Sequence, residues 1–331
     1  MNNRLLLFLF VPVFFLFVGC DRTKSDPQGD EMARLNAWIN IHGLESYKTS
    51  SGFYFINERE GTGTTPKDSD VVVYKYVVRN LDEFIYSNTY KDTAKLYDIY
   101  GLYSTTTHYT PTVTQFFSKD IRPKALFEAL SYMKEGGKAR FITPSSLAYG
   151  SSGYNTIPSY TSLIWDIELV KVFDGTLLEY EQSLIDEYIA ANPIYTDLDT
   201  VYYKNIWPGT GSVINKDSIV KVNYIGSFLD GFIFDTNIES VAVDSNIYNS
   251  GKEYEPLEFK VGSTSKTNNF DKKTDPPLAG FQFAVKQMKE GDTADFVIPS
   301  TYLYGANGTT NIPPYTALRF RIVVVDVRVK P

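Results

Sequence analysis

The chain has 331 residues, of which 43% are hydrophobic and 15% aromatic, and its net charge at pH 7 is −7. This length predicts two domains that each bury a core. Its 25 tyrosines, together with many Thr, Val and Ile residues, favour β structure. A negative chain with no basic cluster to neutralise phosphates is not expected to bind nucleic acid.

The N-terminal segment has one arginine and then an apolar run from Leu5 to Val18. The run is short for a membrane span and is typical of a signal peptide. It ends at Cys20, the only cysteine, and this ending resembles a bacterial lipobox, with Phe17 where leucine is usual. We expect residues 1–20 to be a lipoprotein signal peptide and Cys20 to be lipidated, which would anchor the domains to a bacterial membrane, in the cell envelope outside the cytoplasm. The alternative is an uncleaved anchor helix ending in an incidental cysteine.

A tether and a first helix are predicted next. Residues 21–31 are polar, contain proline and glycine and lack periodicity, which predicts a flexible tether. Residues 32–48 are predicted to be a helical segment, because Leu35, Trp38 and Ile39 follow helical spacing.

The rest of the chain contains an internal duplication. Gly61 corresponds to Gly209 and Tyr76 to Tyr224, and about half of the positions are identical between residues 133–163 and 288–318. Two copies of this size predict two domains, whereas a solenoid needs more and shorter repeats. The predicted boundaries are residues 49–174 for the first domain, 175–196 for a connecting helix and 197–331 for the second domain.

The connecting helix is predicted to match the first one. Residues 177–191 place Leu184, Tyr188 and Ala191 on one face. Pro193 ends the helix, because proline disfavours helical geometry in the residue before it.

Each copy combines strands with one short helix. The strands show alternating polarity, at Val220, Val222 and Tyr224 in one segment and at Leu318, Phe320 and Ile322 in the last. In the predicted helix of the second copy Phe281, Val285 and Met288 fall on one face. Its counterpart in the first copy has Leu126, Leu130 and Met133. The predicted fold class is α+β, in which each domain is a curved antiparallel sheet wrapped over a short α-helix and is preceded by another helix.

The reactive residue types argue against several enzyme classes. His42 and His108 lie far apart in the sequence and Cys20 is the only cysteine, which disfavours a zinc site or a Cys–His nucleophile pair. The segments GTGTTPKD and GTGSVINKD lack the Lys-Ser/Thr pair and the following helix of a phosphate loop. The sequence does not exclude a hydrolase that uses a pair of carboxylates, although no such pair recurs in both copies. No cofactor and no metal are expected.

The second copy carries, in order, the segments GTG, VKVNYIGSFLDGFIFDTN, PLEFKVG, LAGFQFAVKQMKEGD, FVIPSTYLYGANG and IPPYTALRFRIVVVDV. Over roughly residues 201–328 it resembles the FKBP family of peptidyl-prolyl cis-trans isomerases. The resemblance implies an FKBP-like domain and a cofactor-free isomerase.

The resemblance also implies an apolar pocket in the second copy. Asp235 would accept a hydrogen bond from the Tyr224 hydroxyl or face the substrate carbonyl. The Tyr304 hydroxyl and the Leu278 N–H would donate hydrogen bonds to substrate carbonyls. Phe281 would form the floor, where the family usually has tryptophan. The implied walls are Tyr224, Phe234, Leu257, Phe281, Ile312 and Phe320.

The reaction explains why such a pocket is aromatic. Rotation about an X–Pro bond breaks amide resonance, at a barrier of about 18–20 kcal/mol, and requires no nucleophile. A catalyst needs only to favour the twisted amide over the planar one. Twisting lowers the polarity of the amide, so a dry aromatic cleft that holds the prolyl ring favours the twisted state.

The first copy departs from this pattern at three positions. Ser87 replaces the acid, Leu126 replaces the aromatic floor and Ser159 replaces the second proline of the loop, so we expect this copy to be a weak or inactive isomerase. The corresponding residues are Tyr76, Tyr86, Ser87, Leu126, Tyr149, Ile157 and Trp165.

The expected function is therefore a membrane-tethered peptidyl-prolyl isomerase that acts mainly through its second domain. Its partners would be proline-containing unfolded or partly folded exported polypeptides, whose folding waits on slow X–Pro isomerisation. One alternative is a non-catalytic polypeptide-binding chaperone or assembly lipoprotein with degenerate clefts. Another is a surface protein that binds glycans through exposed tyrosines.

Overall fold

The structure is a computed structural model that describes residues 26–97, 107–117, 121–263 and 278–328. The predicted signal peptide, Cys20 and most of the predicted tether lie outside these ranges. Within them, no helix is long and apolar enough to cross a membrane. The same ranges contain no group of His, Cys, Asp and Glu side chains arranged to hold a metal ion.

The strands of the described residues form two antiparallel sheets, one in each half of the chain. The first sheet has the order β1-β5-β6-β2-β3, with β4 also paired to β2. Its strands are β1 (Tyr54–Arg59), β2 (Val71–Asn80), β3 (Ile85–Asn88), β4 (Thr112–Gln115), β5 (Lys138–Thr143) and β6 (Leu163–Phe173).

The second sheet repeats this arrangement. Its order is β10-β9-β13-β12-β8-β7, with β11 also paired to β9. Its strands are β7 (Thr196–Asp197), β8 (Tyr202–Trp207), β9 (Ile219–Ser227), β10 (Ile233–Thr236), β11 (Leu257–Lys260), β12 (Thr293–Ile298) and β13 (Leu318–Arg328).

The described helices fall into three pairs that occupy corresponding places in the two halves. One pair precedes the sheets, one follows the equivalent strands β3 and β10, and one packs into the cores. They are α1 (Pro27–His42), α2 (Lys91–Tyr97), α3 (Lys124–Ser131), α4 (Leu177–Ala191), α5 (Glu239–Asp244) and α6 (Ala279–Lys286). This arrangement confirms the predicted α+β class, with an antiparallel sheet and a short inner helix in each half of the chain.

The core of each domain lies between the sheet and its short inner helix. The alternation predicted for β9 and β13 is confirmed, because Val222 and Tyr224 face the same core as Phe320 and Ile322. The inner helix α6 contributes Phe281 to this core. The first core is built in the same way, with Leu126 and Leu130 of α3 among its buried residues.

The outer helices pack on the opposite faces of the sheets. Leu35 and Ile39 of α1 are buried and contact Ile142 and Ile164 of the first sheet, and Trp38 is partly buried beside them. Because Ile142 follows the core residue Phe141 along β5, it points to the other face of the sheet. Each sheet is therefore covered by helices on both faces.

The buried face of α4 differs from the prediction. Leu184 and Ala191 are exposed, and the buried residues are Tyr180, Glu181 and Ile185. The prediction was wrong because it relied on apolar spacing, and the buried face of α4 includes the acidic residue Glu181. Glu181 can be buried because Ser300 donates hydrogen bonds to its carboxylate.

The start of α1 also differs from the prediction. The helix begins at Pro27, so residues 27–31, predicted to belong to the tether, are helical. Asp26 caps this end by accepting a hydrogen bond from the Gly29 N–H at 3.0 Å, and proline suits the first helical turn, where its missing N–H is not needed.

Candidate active site

The second candidate site is centred on Tyr224, a buried residue of β9. Its hydroxyl donates to Asp235 Oδ2 at 2.6 Å, which is the first of the two roles predicted for Asp235. The other carboxylate oxygen of Asp235 forms an ion pair with Lys252. Asp235 is thus held between a phenol and an ammonium group, and its negative charge is partly balanced before any ligand enters.

The backbone around Tyr224 is fixed by two side chains from the end of β10. Asn237 Oδ1 accepts from the Tyr224 N–H at 2.8 Å, and the Thr236 hydroxyl donates to the Tyr224 carbonyl at 2.7 Å. Asn237 also donates to the Glu255 carbonyl at 3.0 Å. The segment that carries Lys252 is therefore tied to the strand that carries Tyr224.

Four aromatic rings enclose the region next to this pair. Phe281 and Phe320 are fully buried, and their ring centroids lie 5.3 Å apart at an interplanar angle of 86°. Phe320 also meets Phe234 edge to face at 6.0 Å, and Tyr224 meets Phe281 at 5.9 Å. Edge-to-face packing is favourable for aromatic pairs. These four residues, which we call the aromatic box, are all among the predicted walls.

Gly226 allows the aromatic box to close. It is the residue of β9 that pairs with both Phe320 and Asp235. A Cβ atom at this position would lie 2.7 Å from the Phe234 ring and 3.1 Å from the Phe320 ring. Any side chain here would push the two rings apart.

The half-buried Tyr304 lies on a tight turn at residues 300–305, which we call the second tyrosine turn. The N–H groups of Leu303 and Gly305 both donate to the Ser300 carbonyl at 2.8 Å. Gly308 has a φ of +56°, and a Cβ there would lie 2.3 Å from the Ile312 carbonyl oxygen, so only glycine fits. The turn and the buried Ile312 are thereby brought to one end of the domain.

The two remaining predicted residues are buried in the same core as the box. Leu257 lies on β11 opposite Val222, and Leu278 is the N-cap residue of α6. Leu278 belongs to the same apolar core as Leu257 and Phe281. The structure therefore brings all the predicted residues of the second site to one core, while their roles toward substrate stay a prediction.

The first site retains the arrangement with different chemistry. The Tyr76 hydroxyl lies 3.2 Å from the Ser87 hydroxyl, so a neutral pair replaces the phenol–carboxylate pair. Leu126 is buried in the first core, and Trp165 lies 5.3 Å from Tyr76, tilted by 47°. Trp165 also stacks on Phe141 at 5.6 Å.

The other residues of the first site surround this group. Ile157 is buried in the first core, and Tyr149 lies on the first tyrosine turn, residues 145–150. Burial raises the pKa of Tyr149 to about 12. The Tyr149 ring stacks on the exposed Tyr154 at 4.9 Å.

One difference between the sites comes from the residue that corresponds to Gly226. This residue is Val78, which is buried and pairs with Trp165 and Ser87 as Gly226 pairs with Phe320 and Asp235. The Val78 side chain fills the space that corresponds to the one above Gly226, where the Phe234 and Phe320 rings lie in the second site. Tyr86 packs edge to face with Phe84 and lines a surface cleft with Arg34 of α1.

The profile of the FKBP-type peptidyl-prolyl cis-trans isomerase family matches residues 62–170 and 211–325, together more than half of the chain. The chain belongs to this family. The two matched regions lie in the two halves that carry the two sheets, so each sheet and its inner helix form an FKBP domain.

Individual relatives match part of the chain. It is 30% identical over 132 residues to the FKBP-type isomerase FkpA of Buchnera aphidicola from Acyrthosiphon pisum, covering 39% of this chain and 45% of that protein. It is 32% identical over 126 residues to FkpA of Escherichia coli K12, covering 38% and 40%. It is 36% identical over 94 residues to a short-type isomerase of Methanocaldococcus jannaschii, covering 28% and 52%. The chain spans about half the length of these relatives or less.

Solved structures with FKBP domains are also similar. The crystal structure of FkpA from Escherichia coli matches with 26% identity and a TM-score of 0.36, covering 44% of this chain and 61% of that chain. The three FKBP domains of wheat FKBP73 match with 22% identity and a TM-score of 0.30, covering 84% and 96%.

The first FKBP domain also contacts the second one beside its site. His108, which precedes β4, donates from Nε2 to Asp230 Oδ2 at 2.7 Å. Its ring lies 4.1 Å from Phe228 and 4.5 Å from Phe232, and Phe228 in turn packs against Phe234. The hydrogen bond with His108 lowers the pKa of Asp230. The outer side of the box wall is therefore covered by a residue of the other FKBP domain.

The sequence did not point to several residues that build the second FKBP site. Lys252 follows a segment without alternation, so nothing linked it to Asp235. Gly226 sits inside a strand, where an isolated glycine indicates close approach of another group, and this pattern was available. Asn237 directly follows β10, and an amide there is a common partner for backbone groups at a strand end.

Proposed function

We propose that the chain is a cofactor-free peptidyl-prolyl cis-trans isomerase in which the second FKBP domain carries the activity. One observation supports this most directly. The Tyr224–Asp235 hydrogen bond and the aromatic box lie side by side in the second domain, and the first domain has Ser87 and Leu126 at the corresponding places.

Each group would act through binding and exclusion of water. The prolyl ring packs against the aromatic box, where Phe281 forms the floor. Rotation about the X–Pro bond reduces the dipole of the amide, so an apolar enclosure destabilises the planar state relative to the twisted one. Tyr304 and the Leu278 N–H hold the flanking carbonyls and so orient the peptide. Asp235 fixes the Tyr224 ring, and Lys252 limits the charge that faces the peptide.

The test exchanges residues between the two domains in the full chain. Phe281→Leu and Asp235→Ser give the second site the residues of the first, and we expect each to lower kcat/KM for a proline peptide by more than about tenfold. The matched controls are Leu126→Ala and Ser87→Ala, which we expect to change kcat/KM by less than about twofold. Near-UV circular dichroism checks that each variant is folded. Wild-type chain without isomerisation above the uncatalysed rate would contradict the proposal.

The first FKBP domain binds extended polypeptide with little turnover in this proposal. Its support is the pair of stacked tyrosines at the mouth of the first site, where Tyr154 is 56% exposed. Exposed aromatic side chains are typical of polypeptide-binding surfaces. Tyr154→Ser should weaken the capture of an unfolded proline-rich protein and leave kcat/KM unchanged. Equal capture by both proteins would argue against this role.

The proposed location is the cell envelope, where a lipid anchor holds the domains to a bacterial membrane outside the cytoplasm, with exported polypeptides as clients. The support is the sequence alone, an apolar run ending at Cys20. Cys20→Ser should abolish incorporation of labelled palmitate. A wild-type chain that incorporates no palmitate and keeps its N-terminal segment would favour the uncleaved anchor helix.

A further inference from the structure

Each FKBP domain is preceded by a helix that buries one glutamate. Glu31 of α1 and Glu181 of α4 are 7% and 4% exposed, although glutamate is rarely buried. In α1 the buried residues are Glu31, Leu35 and Ile39, and in α4 Glu181 and Ile185 follow the same spacing. The two glutamates therefore occupy equivalent positions in the two halves of the duplication.

Glu181 binds the first residue of the second tyrosine turn through both of its oxygens. Oε1 accepts from the Ser300 N–H at 2.7 Å, and Oε2 accepts from the Ser300 hydroxyl at 2.6 Å. Ser300 is 1% exposed, and its carbonyl accepts from the Leu303 and Gly305 N–H groups. The carboxylate thus holds the base of the turn whose next-to-last residue is Tyr304.

The first domain contains the same arrangement. Glu31 Oε1 accepts from the Ser145 N–H at 2.6 Å and from the Ser162 hydroxyl at 2.7 Å, while Oε2 accepts from the Ser145 hydroxyl. The Ser145 carbonyl accepts from the N–H groups of Ala148 and Gly150 at 2.8 Å. The contact is retained in both halves even though the chemistry of the two sites differs.

Helix α4 also contacts the first domain. Tyr180 packs against Val71 and Val73 of the first domain, whereas Ile185 packs against Val297 and Ala317 of the second. Tyr180 and Glu181 are consecutive residues that contact different domains. The position of the second tyrosine turn is therefore linked to a helix that both domains share.

Burying a carboxylate is costly unless its hydrogen bonds repay the lost hydration. Burial raises the pKa of Glu181, although the hydrogen bonds from Ser300 act in the opposite direction. An apolar residue at this position would avoid this cost. What the carboxylate adds is a two-point attachment to the backbone and side chain of a single residue.

We propose that Glu181 is a positioning residue for the isomerase site, which holds the Tyr304 turn against the connecting helix through Ser300. The inference rests on the proposed function for its catalytic consequence. The attachment itself does not depend on that function. It makes α4 part of the second site, so the functional unit extends beyond the FKBP domain to the helix before it.

The test uses three variants of the full chain and two readouts. Glu181→Ala removes both acceptors, Glu181→Gln keeps one acceptor for the Ser300 N–H, and Glu31→Ala makes the matched change in the first domain. We expect Glu181→Ala to lower kcat/KM for a proline peptide by about tenfold, mainly through kcat, because small misplacements of an orienting group have effects of this size. Glu181→Gln should recover most of the activity, and Glu31→Ala should leave it unchanged.

The second readout is amide hydrogen exchange, which does not depend on catalysis. In Glu181→Ala the Leu303 and Gly305 amides should exchange at least about tenfold faster, while the amides of β9 and β13 keep their protection. In Glu31→Ala the Ala148 and Gly150 amides should change instead. Faster exchange throughout the second domain would indicate a general loss of stability and would overturn the proposal.

The two proposals fail separately. If the wild-type chain does not isomerise the peptide, the proposed function fails, and the exchange pattern alone decides whether Glu181 positions the turn. If the wild-type chain is active and Glu181→Ala retains full kcat, the positioning role is wrong and the proposed function is unaffected. An equal loss of activity in Glu31→Ala would also overturn the assignment of Glu181 to the second site.

Discussion

The two FKBP domains of this chain share a framework and differ in the residues that would meet a prolyl ring. Both retain the tyrosine turn, the isoleucine that follows it and the buried glutamate that holds the turn. The second domain has a phenol–carboxylate pair, where the first has two hydroxyl groups 3.2 Å apart. The comparison teaches that the turn and the residues that hold it are retained even where the polar pair beside it has changed.

The aromatic surface of the first site is rearranged rather than simply lost. Leu126 is smaller than Phe281 at the floor, but Trp165 is larger than Phe320 on the wall. Trp165 is 4% exposed and stacks on Phe141. The first site is therefore filled from its wall, and restoring an aromatic floor alone would overpack it.

The largest effect is expected at Gly226, where the first domain has Val78. Gly226→Val should lower kcat/KM by about a hundredfold, because the new side chain displaces the Phe234 and Phe320 rings. The measurement is the isomerisation rate of a proline peptide. Val78→Ala in the first domain is the matched control and should leave the rate unchanged. A fully active Gly226→Val chain would show that the aromatic box is not the site.

The next effect concerns the stability of each domain. An ion pair joins equivalent strands in both domains, but the acidic and basic residues have exchanged strands. Asp295 on β12 pairs with Arg321 on β13, whereas Arg140 on β5 pairs with Asp166 on β6. The Asp295 side chain is 2% exposed and the Asp166 side chain is 28% exposed. Asp295→Asn should lower the free energy of unfolding of the second domain by about 3 kcal/mol, and Asp166→Asn should lower that of the first by about 1 kcal/mol. Urea unfolding followed by NMR signals from each domain measures both.

The Asp295 pair also predicts a pH dependence. Burial opposes ionisation of Asp295, but hydrogen bonds from Arg321 and Arg319 outweigh it, so its folded pKa lies below the ordinary 3.8. A depressed acid pKa contributes stability that is present above pH 3.8 and is lost as the pH falls through the folded pKa. Asp295→Asn should remove this part of the acid dependence from the second domain. An unchanged acid transition in the variant would contradict the assignment.

Residues with a local pattern were predictable from the sequence. Tyr224 and Phe320 alternate with polar neighbours, and Phe281 falls on a helical face, so their burial in one core followed from periodicity. The order of motifs along the chain then placed Asp235 beside Tyr224, and the hydrogen bond is present. The alternation of apolar residues and the order of the motifs were therefore enough to predict the fold and the residues at the centre of the site.

Residues that act across long sequence separations were not predictable. Glu181 and Ser300 are 119 residues apart, and a glutamate on a helix normally indicates the solvent face. For this reason the face of α4 was assigned to Leu184, which is exposed. Lys252 was missed because no periodic pattern fixes the position of its segment relative to Asp235.

A smaller effect is expected when the acid is restored in the first domain. Ser87→Asp should give the Tyr76 hydroxyl a carboxylate partner, yet raise kcat/KM of the chain by less than about threefold, because Leu126 and Val78 remain. The background for this measurement is the chain with Phe281→Leu, in which the second site is weakened. A tenfold or larger gain in kcat/KM would mean that the missing acid alone accounts for the difference in activity between the two sites.

The smallest effect is expected at the contact between the domains. His108→Ala removes the hydrogen bond that lowers the pKa of Asp230, so this pKa should rise toward its ordinary value of 3.8. The change in kcat/KM should stay below about twofold, since Phe228 still lies between the substituted residue and Phe234. NMR titration of the Asp230 carboxyl carbon measures the shift. An unchanged pKa would show that the two domains do not meet at this point.

The most direct test of the central claim is an NMR exchange experiment on the labelled full chain with a proline peptide. The account predicts cis–trans exchange cross-peaks of the peptide at catalytic amounts of protein, with chemical-shift changes at Tyr304, Phe281 and Tyr224. It also predicts that Phe281→Leu removes most of the exchange, while Leu126→Ala does not. Exchange that survives Phe281→Leu and disappears in Leu126→Ala would place the activity in the first domain and contradict the account.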